Sequence, residues 1–513
     1  MSERFFQISY HLPYLHIYII AILACFYGIL VLHQRKQNST TKTINDFTIK
    51  TKYIFFIVNQ IVLGISMLLP FFLAGEGKFI FDEWIDDNFF SAYPSGLILI
   101  LTFLSMMYIY EKLADVKKIA DFYCGLYFAL LGLLLICISQ QIVYIFLGLA
   151  VSTLAIYLIL ASDIDNTDKD QNSFSALLVY FIIGSISLLM LAIGCSWLYG
   201  ATGSTLTFEF HDLITKDKNA FRPFLEIGTI FIIIAISLQF GLVPFHQWVI
   251  KLYQQASYPV AMIVMNITKI GIFSLTMRLI ITSLFSVAET WKWMILIIAI
   301  CSIGYGFIAM LTINQSFRKF LAYSSIANLG FVMLALFAVV EIRAGGELIA
   351  NNAINAISSD LYYLIFYQFT NIAVFAFAWV IAKNSQDSDD INHFKGLAQR
   401  YPWFAIMMTT LMLSMAGIPP FLGFWARIAV IQALISANHQ LLITIAMLFS
   451  LIGTFVYLRF IKMMYFDKPV SGHEDKINLA KPFRLVLSLH CLLFVGLGLF
   501  PAVSIQTAFL IMQ

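Results

Sequence analysis

The stretch Ile230–Gln239 reads IFIIIAISLQ and leads, through Phe240 and Gly241, into Leu242-Val243-Pro244-Phe245-His246. A second stretch repeats the plan: Leu411–Ala416, LMLSMA, then Gly417-Ile418-Pro419-Pro420, with Arg427 shortly after. Each is a long apolar segment interrupted by proline beside a polar or charged group. Proline removes a backbone donor and clashes with the preceding turn, so each helix is expected to break at Pro244 and at Pro419-Pro420. A break at membrane depth survives only where protein or a water-filled cavity satisfies the freed backbone groups. Broken helices in corresponding halves of a repeated bundle point to an ion pathway.

The rest of the sequence places those breaks in a membrane. Apolar residues make up 60% of the 513 residues and charged residues 12%, and the mean hydropathy is +0.86. A soluble chain carries about 25% charged residues. The net charge of +3 says little, because here the position of charge matters more than its sum. The chain has no large hydrophilic domain, no P-loop and no dinucleotide fingerprint, so catalytic, cofactor, metal and nucleic-acid sites are not expected in it. The six cysteines (Cys25, Cys124, Cys137, Cys195, Cys301 and Cys491) lie in or beside apolar runs without metal spacing and read as buried small side chains. The N-terminus carries no Arg/Ser-rich presequence. Heavy use of Phe, Ile, Asn and Lys hints at an AT-rich genome, as in an organelle or a small bacterial genome.

Spans of bilayer-matched length number about fourteen, so the fold class is an all-α polytopic membrane protein. Residues 1–120 form an N-terminal three-helix segment. Residues 121–284 and 285–466 read as two repeats, each of five spans with one broken member, and 467–513 as a linker and last span. Loop charge gives an orientation. Arg35, Lys36, Lys42, Lys50 and Lys52 in the first loop, and Lys112, Lys117 and Lys118 in the third, face the matrix or cytoplasm. Glu76, Asp82, Glu83, Asp86 and Asp87 face the opposite side, as do both termini. Arg318 and Lys319 agree with this, and the acidic run Asp163–Asp170 does not. The stretch Lys383–Arg400 reads as a polar linker.

Few charges remain at membrane depth. Lys269 sits inside Val260–Ile281 with apolar residues on both sides. An ionised lysine at mid-bilayer costs about 2.5–3.5 kcal/mol on insertion scales. Lys269 is therefore a candidate proton relay; the structural alternative is a lysine fixed by a carbonyl or carboxylate. His246 follows the first break and suits a water chain, or caps the broken helix. Arg427 follows the second break. A guanidinium stays protonated, so it sets a field, binds a carboxylate or is purely structural, and it cannot carry a proton by losing one. Arg278 lies near its span's end and is expected to snorkel. Asp360, preceding Leu361–Ala382, is expected at the interface, and His490 is expected to be a satisfied core histidine.

Several stretches carry a family resemblance. They are Phe240–Arg278 (FGLVPFHQWVIKLYQQASYPVAMIVMNITKIGIFSLTMR), Phe320–Phe331 (FLAYSSIANLGF), Leu413–Phe424 (LSMAGIPPFLGF) and Gly453–Pro469 (GTFVYLRFIKMMYFDKP). From about Asp121 to Pro469 the chain resembles the antiporter-like membrane subunits of respiratory complex I. Tyr253-Gln254 and the AYSSI stretch favour the subunit 2 branch, called N in bacteria. Animal versions lack the first three spans, so the chain looks like a plant, protist or bacterial form. The resemblance implies two inverted five-helix repeats, each a half-channel, and a row of buried charges. Its usual pattern pairs a fifth-span glutamate with a lysine on the broken seventh span, with further lysines on the eighth and the broken twelfth.

This chain departs from the pattern. Ala150 stands at the glutamate, Gln239 at the broken-helix lysine, Val179 at a sixth-span lysine, Asn328 at a tenth-span histidine and Arg427 at the twelfth-span lysine. Lys269 and His246 remain. A carboxylate holds a buried lysine charged, and a change in their separation switches the lysine; Ala150 and Gln239 neither titrate nor carry charge. The expectation is a membrane-arm subunit of proton-translocating NADH:ubiquinone oxidoreductase whose own channel is impaired. The competing path runs through tyrosines, water and a partner's carboxylate. A free-standing or Mrp-type cation/proton antiporter is the alternative function. The resemblance places NAD, flavin, iron–sulfur clusters and quinone in partner subunits. It implies the other membrane-arm subunits and the bilayer, with cardiolipin a candidate lipid, as partners. The expected location is the mitochondrial inner membrane, or else a bacterial one.

Overall fold

The computed structural model describes residues 14–38, 49–73, 78–80, 85–87, 89–113, 119–163, 170–210, 222–313, 315–342, 348–349, 353–383, 389–469 and 481–500. Within them the chain is almost wholly helical. Twelve helices are long and apolar enough to cross a membrane. Pro402–Ala416 and Leu422–Ser436 are the halves of one interrupted crossing, and Phe483–Leu499 is a last, shorter one, which brings the described crossings to the expected fourteen. Two short hairpins, Lys78–Ile80 with Ile85–Asp87 and Glu341–Ile342 with Leu348–Ile349, lie between crossings and were not legible as strands. Lys42, Glu76, Asp82, Glu83, Lys117 and Lys118, which set the expected orientation, lie outside the described residues, as does the acidic run from 164 to 169.

The helices gather in two compact units: Met1–Gln239 with Gln255–Val287, and Phe240–Gln254 with Ala288–Gln513. These units are defined by packing, not by repeat symmetry. Each contains a helix pair in tight backbone contact. In the first unit, a Cβ on Gly132 of Ile119–Ile138 would lie 2.5 Å from the Gly148 carbonyl oxygen of Ile142–Ser162 and 2.6 Å from the Ser152 nitrogen. In the second, a Cβ on Gly330 of Phe317–Phe337 would lie 2.9 Å from the Ile303 nitrogen of Ala288–Thr312. Lipid tails are as apolar as the helices, so close packing through small residues holds such pairs together.

Polar groups fasten other elements. Asn59 of Ile49–Ser66 bridges the hydroxyls of Tyr27, on Leu15–Asn38, and Tyr127, on Ile119–Ile138. Asp163, ending the helix Ile142–Ser162, accepts from the Ser257 backbone nitrogen at 2.8 Å and its hydroxyl at 2.9 Å, fixing the start of Tyr258–Thr276.

Three expectations are corrected. Arg278 does not snorkel: Tyr258–Thr276 continues as a π-helix over Met277–Ser283, which keeps Arg278 buried with its guanidinium on the Cys137 carbonyl. Asp360 is not interfacial: its helix begins seven residues earlier, at Ala353, and its exposure is 0%. Cys25 and Cys301 are exposed, because they fall on outward faces of their helices, whereas the other four cysteines are buried. His490 is buried as expected, stacked on Phe494 with ring centroids 5.3 Å apart.

Gly132→Leu should force the first unit's tight pair apart at a cost of more than about 2 kcal/mol, in the range of overpacked cores. Gly496→Ala, where an added Cβ meets nothing within 4 Å, is the control. Melting of the solubilised protein checks this, the first variant falling well below the control.

Candidate functional site

Both breaks are built in the same way. The helix Arg222–Phe240 stops at Gly241 (φ 71°), and Gln247–Gln255 starts after His246. The helix Pro402–Ala416 stops at Gly417 (φ 72°), and Leu422–Ser436 follows. Glycine, the residue that enters the left-handed region without penalty, ends each helix. The prolines come two or three residues later, within the gap, as cis peptides at Val243-Pro244 and Pro419-Pro420. The sequence located the breaks, but the glycines set where each helix stops.

At the second break Gly417 donates to the Ser414 carbonyl at 3.0 Å and Ile418 to the Leu413 carbonyl at 3.2 Å, closing a Schellman turn. The carbonyls of Met415 and Ala416 are left over. Arg427 takes both, through separate guanidinium nitrogens at 2.6 Å each, and also reaches the Ser450 hydroxyl at 2.6 Å. Thr454 adds a second donor to the Ala416 carbonyl at 2.8 Å. The rings of Phe331 and Phe307 lie 5.7 and 6.0 Å from the guanidinium carbon. Arg427 is thus a C-terminal cap, placed where the helix dipole concentrates negative partial charge.

At the first break Lys269, 1% exposed, donates its Nζ to the Gln239 backbone carbonyl at 3.1 Å. A carbonyl holding Lys269 was the structural alternative in the sequence, and it is the Gln239 main chain that supplies one. The Nε2 of Gln239 is buried without a hydrogen-bond partner among the described residues. Ala150 and Val179 are half-buried and bring no polar atom. On the second unit's side of the gap, the Val243 nitrogen donates to the Ser302 hydroxyl at 3.0 Å. His246 is buried, its ring 4.4 Å from that of Tyr305, with Tyr323 beyond at 5.9 Å from Tyr305.

Three more buried cations do the same work, and two of them had no candidate role in the sequence. Arg318 donates to the Gln254 carbonyl at 3.0 Å, at the end of Gln247–Gln255. Lys292 donates to the Val340 carbonyl just past Phe317–Phe337 and lies 4.6 Å over the Phe337 ring. Arg278 caps Ile119–Ile138 through Cys137.

The second unit also holds a neutral polar network. Tyr363 donates to the Asn328 side-chain oxygen at 2.8 Å, and the Ser324 and Tyr457 hydroxyls are 2.6 Å apart. Asn328 binds back to the Ser324 carbonyl at 2.8 Å. Arg427 faces the Tyr363 hydroxyl, and the Tyr253 hydroxyl faces Ser325, Tyr367 and Asn371. Tyrosines inside apolar runs read as core, so nothing in the sequence separated these from packing residues.

A family described as NADH:quinone oxidoreductase/Mrp antiporter, TM, matches residues 139–453. NADH-quinone oxidoreductase subunit N of Herminiimonas arsenicoxydans is 32% identical over 463 residues, 88% of this chain and 90% of that protein. The chain belongs to this family. Subunit N of Azoarcus sp. (strain BH72) is 33% identical over 401 residues, 78% of this chain and 79% of that protein. Among solved structures, a chain of respiratory complex I from Thermus thermophilus superposes with a TM-score of 0.73 at 19% identity, covering 96% of this chain and 98% of the other. A chain of the Mrp complex from Dietzia sp. DQ12-45-1b gives 0.76 at 15% identity, covering 98% and 97%. Those likenesses establish the shared fold. Both broken helices lie within the matched family region, and in this family member each is closed by a cation on freed carbonyls.

Arg427→Lys keeps the charge but reaches fewer acceptors at once. It should cost about 1–3 kcal/mol, the penalty of a buried acceptor left unmade. Arg427→Met should cost more. Heat denaturation of the solubilised protein, ranking wild type above Lys above Met, checks the cap.

Proposed function

We propose that this chain is the N-type membrane-arm subunit of a proton-translocating NADH:quinone oxidoreductase. The observation that carries the reading is the length and level of its likeness to bacterial proteins of that name, about a third identical over most of both chains. The two helix breaks, at Gly241 and at Gly417, support the architecture such a subunit would need, two inverted five-helix repeats. The chain's own part is to move protons, or to brace the machine that does. NAD, flavin, iron–sulfur clusters and quinone belong to partner subunits, and no redox centre sits in this chain. The membrane is a bacterial inner membrane, in keeping with the bacterial source of those relatives; a mitochondrial inner membrane is the second reading. The other membrane-arm subunits and the bilayer, cardiolipin included, are the partners.

The proton chemistry of the first unit centres on Lys269. Its ammonium donates to a helix end at Gln239, and Ala150 stands where the family's glutamate is expected. A full negative charge that approaches and withdraws can switch a lysine; a fixed carbonyl bonded to it cannot. That half-channel is accordingly impaired relative to relatives with an intact pair. His246, beside Tyr305, serves as the relay beyond the break.

Solubilising native membranes and isolating this chain by an affinity tag should bring NADH-oxidising subunits with it. Isolation without them would favour a free-standing antiporter. Lys269→Arg separates the two roles of that residue, because guanidinium caps a carbonyl yet does not release its proton. The variant complex should assemble and oxidise NADH with its pumping per NADH little changed, because that half-channel is already impaired; a marked fall would return Lys269 to a working path and overturn the impairment.

A further inference from the structure

The helix Ala353–Lys383 of the second unit carries a carboxylate that the reading above leaves unused. Asp360 is 0% exposed, and both its carboxylate oxygens are buried without a hydrogen-bond partner. No ion pair involves it among the described residues. Helical spacing puts Tyr363, Tyr367 and Asn371 on the same face as Asp360, three, seven and eleven residues on. At 1.5 Å per residue the stripe is about 16 Å long, roughly half of the ~30 Å hydrocarbon core. All four residues are buried. Both amide atoms of the adjoining Gln368 are buried without hydrogen bonds as well, and the Tyr367 hydroxyl meets Ser325 and the facing Tyr253 hydroxyl. Leaving buried polar atoms without a partner is costly. A bare carboxyl at the head of a buried polar face is hard to account for as packing, and it suits a line of water.

The charged and titratable groups on the helices packed against this one are already engaged or lie elsewhere. Arg427, on Leu422–Ser436, is bonded to Met415, Ala416 and Ser450. On Phe317–Phe337, Arg318 is bonded to the Gln254 carbonyl, Lys319 lies in the first turn beside it, and Tyr323 faces Tyr305. Pro402–Ala416 has no charged residue. On Lys481–Leu499, Arg484 lies over Trp403, and His490 stacks on Phe494 and meets Phe369 edge-on. The network tyrosines Tyr253 and Tyr457 complete the set.

We propose that Asp360 is a proton station at one end of a buried polar line running through Tyr363, Tyr367 and Asn371, with Tyr253 and Gln368 beside it. The carboxylate accepts a proton from hydronium, giving the neutral acid and water, and returns it to the next water in the line. Hydroxyls of the tyrosines donate and accept without changing charge. Arg427 sets the positive field at Tyr363. The assignment rests on the proton-translocating reading and deepens it, giving the second unit a titratable group where the family's lysine is an arginine.

Two measurements test it. In complexes that assemble and oxidise NADH normally, Asp360→Asn should pump fewer protons per NADH. Asp360→Glu should pump with a shifted pH profile, while NADH oxidation with an artificial acceptor keeps its own profile. Pumping by Asp360→Asn at the wild-type ratio would overturn the proposal. Because the variants can fail to assemble, native membranes are also treated with dicyclohexylcarbodiimide, which enters hydrocarbon and modifies protonated carboxyls. Mass spectrometry should find an adduct on Asp360 that diminishes as pH rises. No adduct at any pH, or one that is the same at every pH, would sink the assignment. That readout needs only the chain in its own membrane, so it stands apart from whether the chain co-purifies with an NADH-oxidising assembly.

Discussion

A carbonyl freed at membrane depth has to find a donor, and in this chain the donors are buried cations. Lys269 on Gln239, Arg427 on Met415 and Ala416, Arg318 on Gln254, Arg278 on Cys137 and Lys292 on Val340 are all bonds from a side-chain cation to the end of a helix. Each solves two problems at once. The helix terminus loses its orphan acceptors, and the cation, costly in hydrocarbon, gains the negative end of a dipole worth about half an elementary charge. Without this pairing neither the breaks nor the charges would be tolerated at that depth.

The same pairing limits what the charges can do. A carboxylate brings a full negative charge on a side chain that can swing, so its distance from a lysine is a variable. A helix end brings half a charge anchored to the backbone, and moving it means moving the helix. Lys269 donates to a partner of the second kind. On the proposed reading, alanine at position 150 leaves out the adjustable element and keeps the structural one, so the broken helix can persist without the switch.

The sequence displayed the crossings and both breaks because hydrophobic run length and Gly/Pro punctuation are local signals. It showed Lys269 for the same reason: a lone charge in an apolar run is conspicuous. It hid what depends on where a helix begins or continues. Asp360 looked interfacial because the apolar run opens at Leu361, yet the helix starts at Ala353 through small and neutral polar residues that hydropathy reads as loop. Arg278 looked like a span's end until the π-helical extension to Ser283 placed it inside. Lys292, beside Glu289 and Trp291, resembled an ordinary flank. The acceptors were invisible altogether, since a carbonyl has no letter in the sequence: Gln239 was singled out for its amide, and it is its backbone oxygen that matters.

Arginine at position 427 follows from the same geometry. The Schellman turn at Gly417 satisfies Leu413 and Ser414 and leaves two adjacent carbonyls. A lysine is a point charge, whereas the guanidinium is a planar fork that addresses both and still reaches Ser450. Arginine makes the better cap and, by the same chemistry, is not a group that releases a proton. In the second unit the demand for closure and the demand for titration thus fall on different side chains. The carboxyl of Asp360 is free of the first demand because no helix end claims it, and it sits one turn from Tyr363, the hydroxyl that Arg427 faces. A cation fixed by two carbonyls and an acid bonded to none stand either side of one tyrosine, the closure carried by the first and, on the proposed reading, the titration by the second.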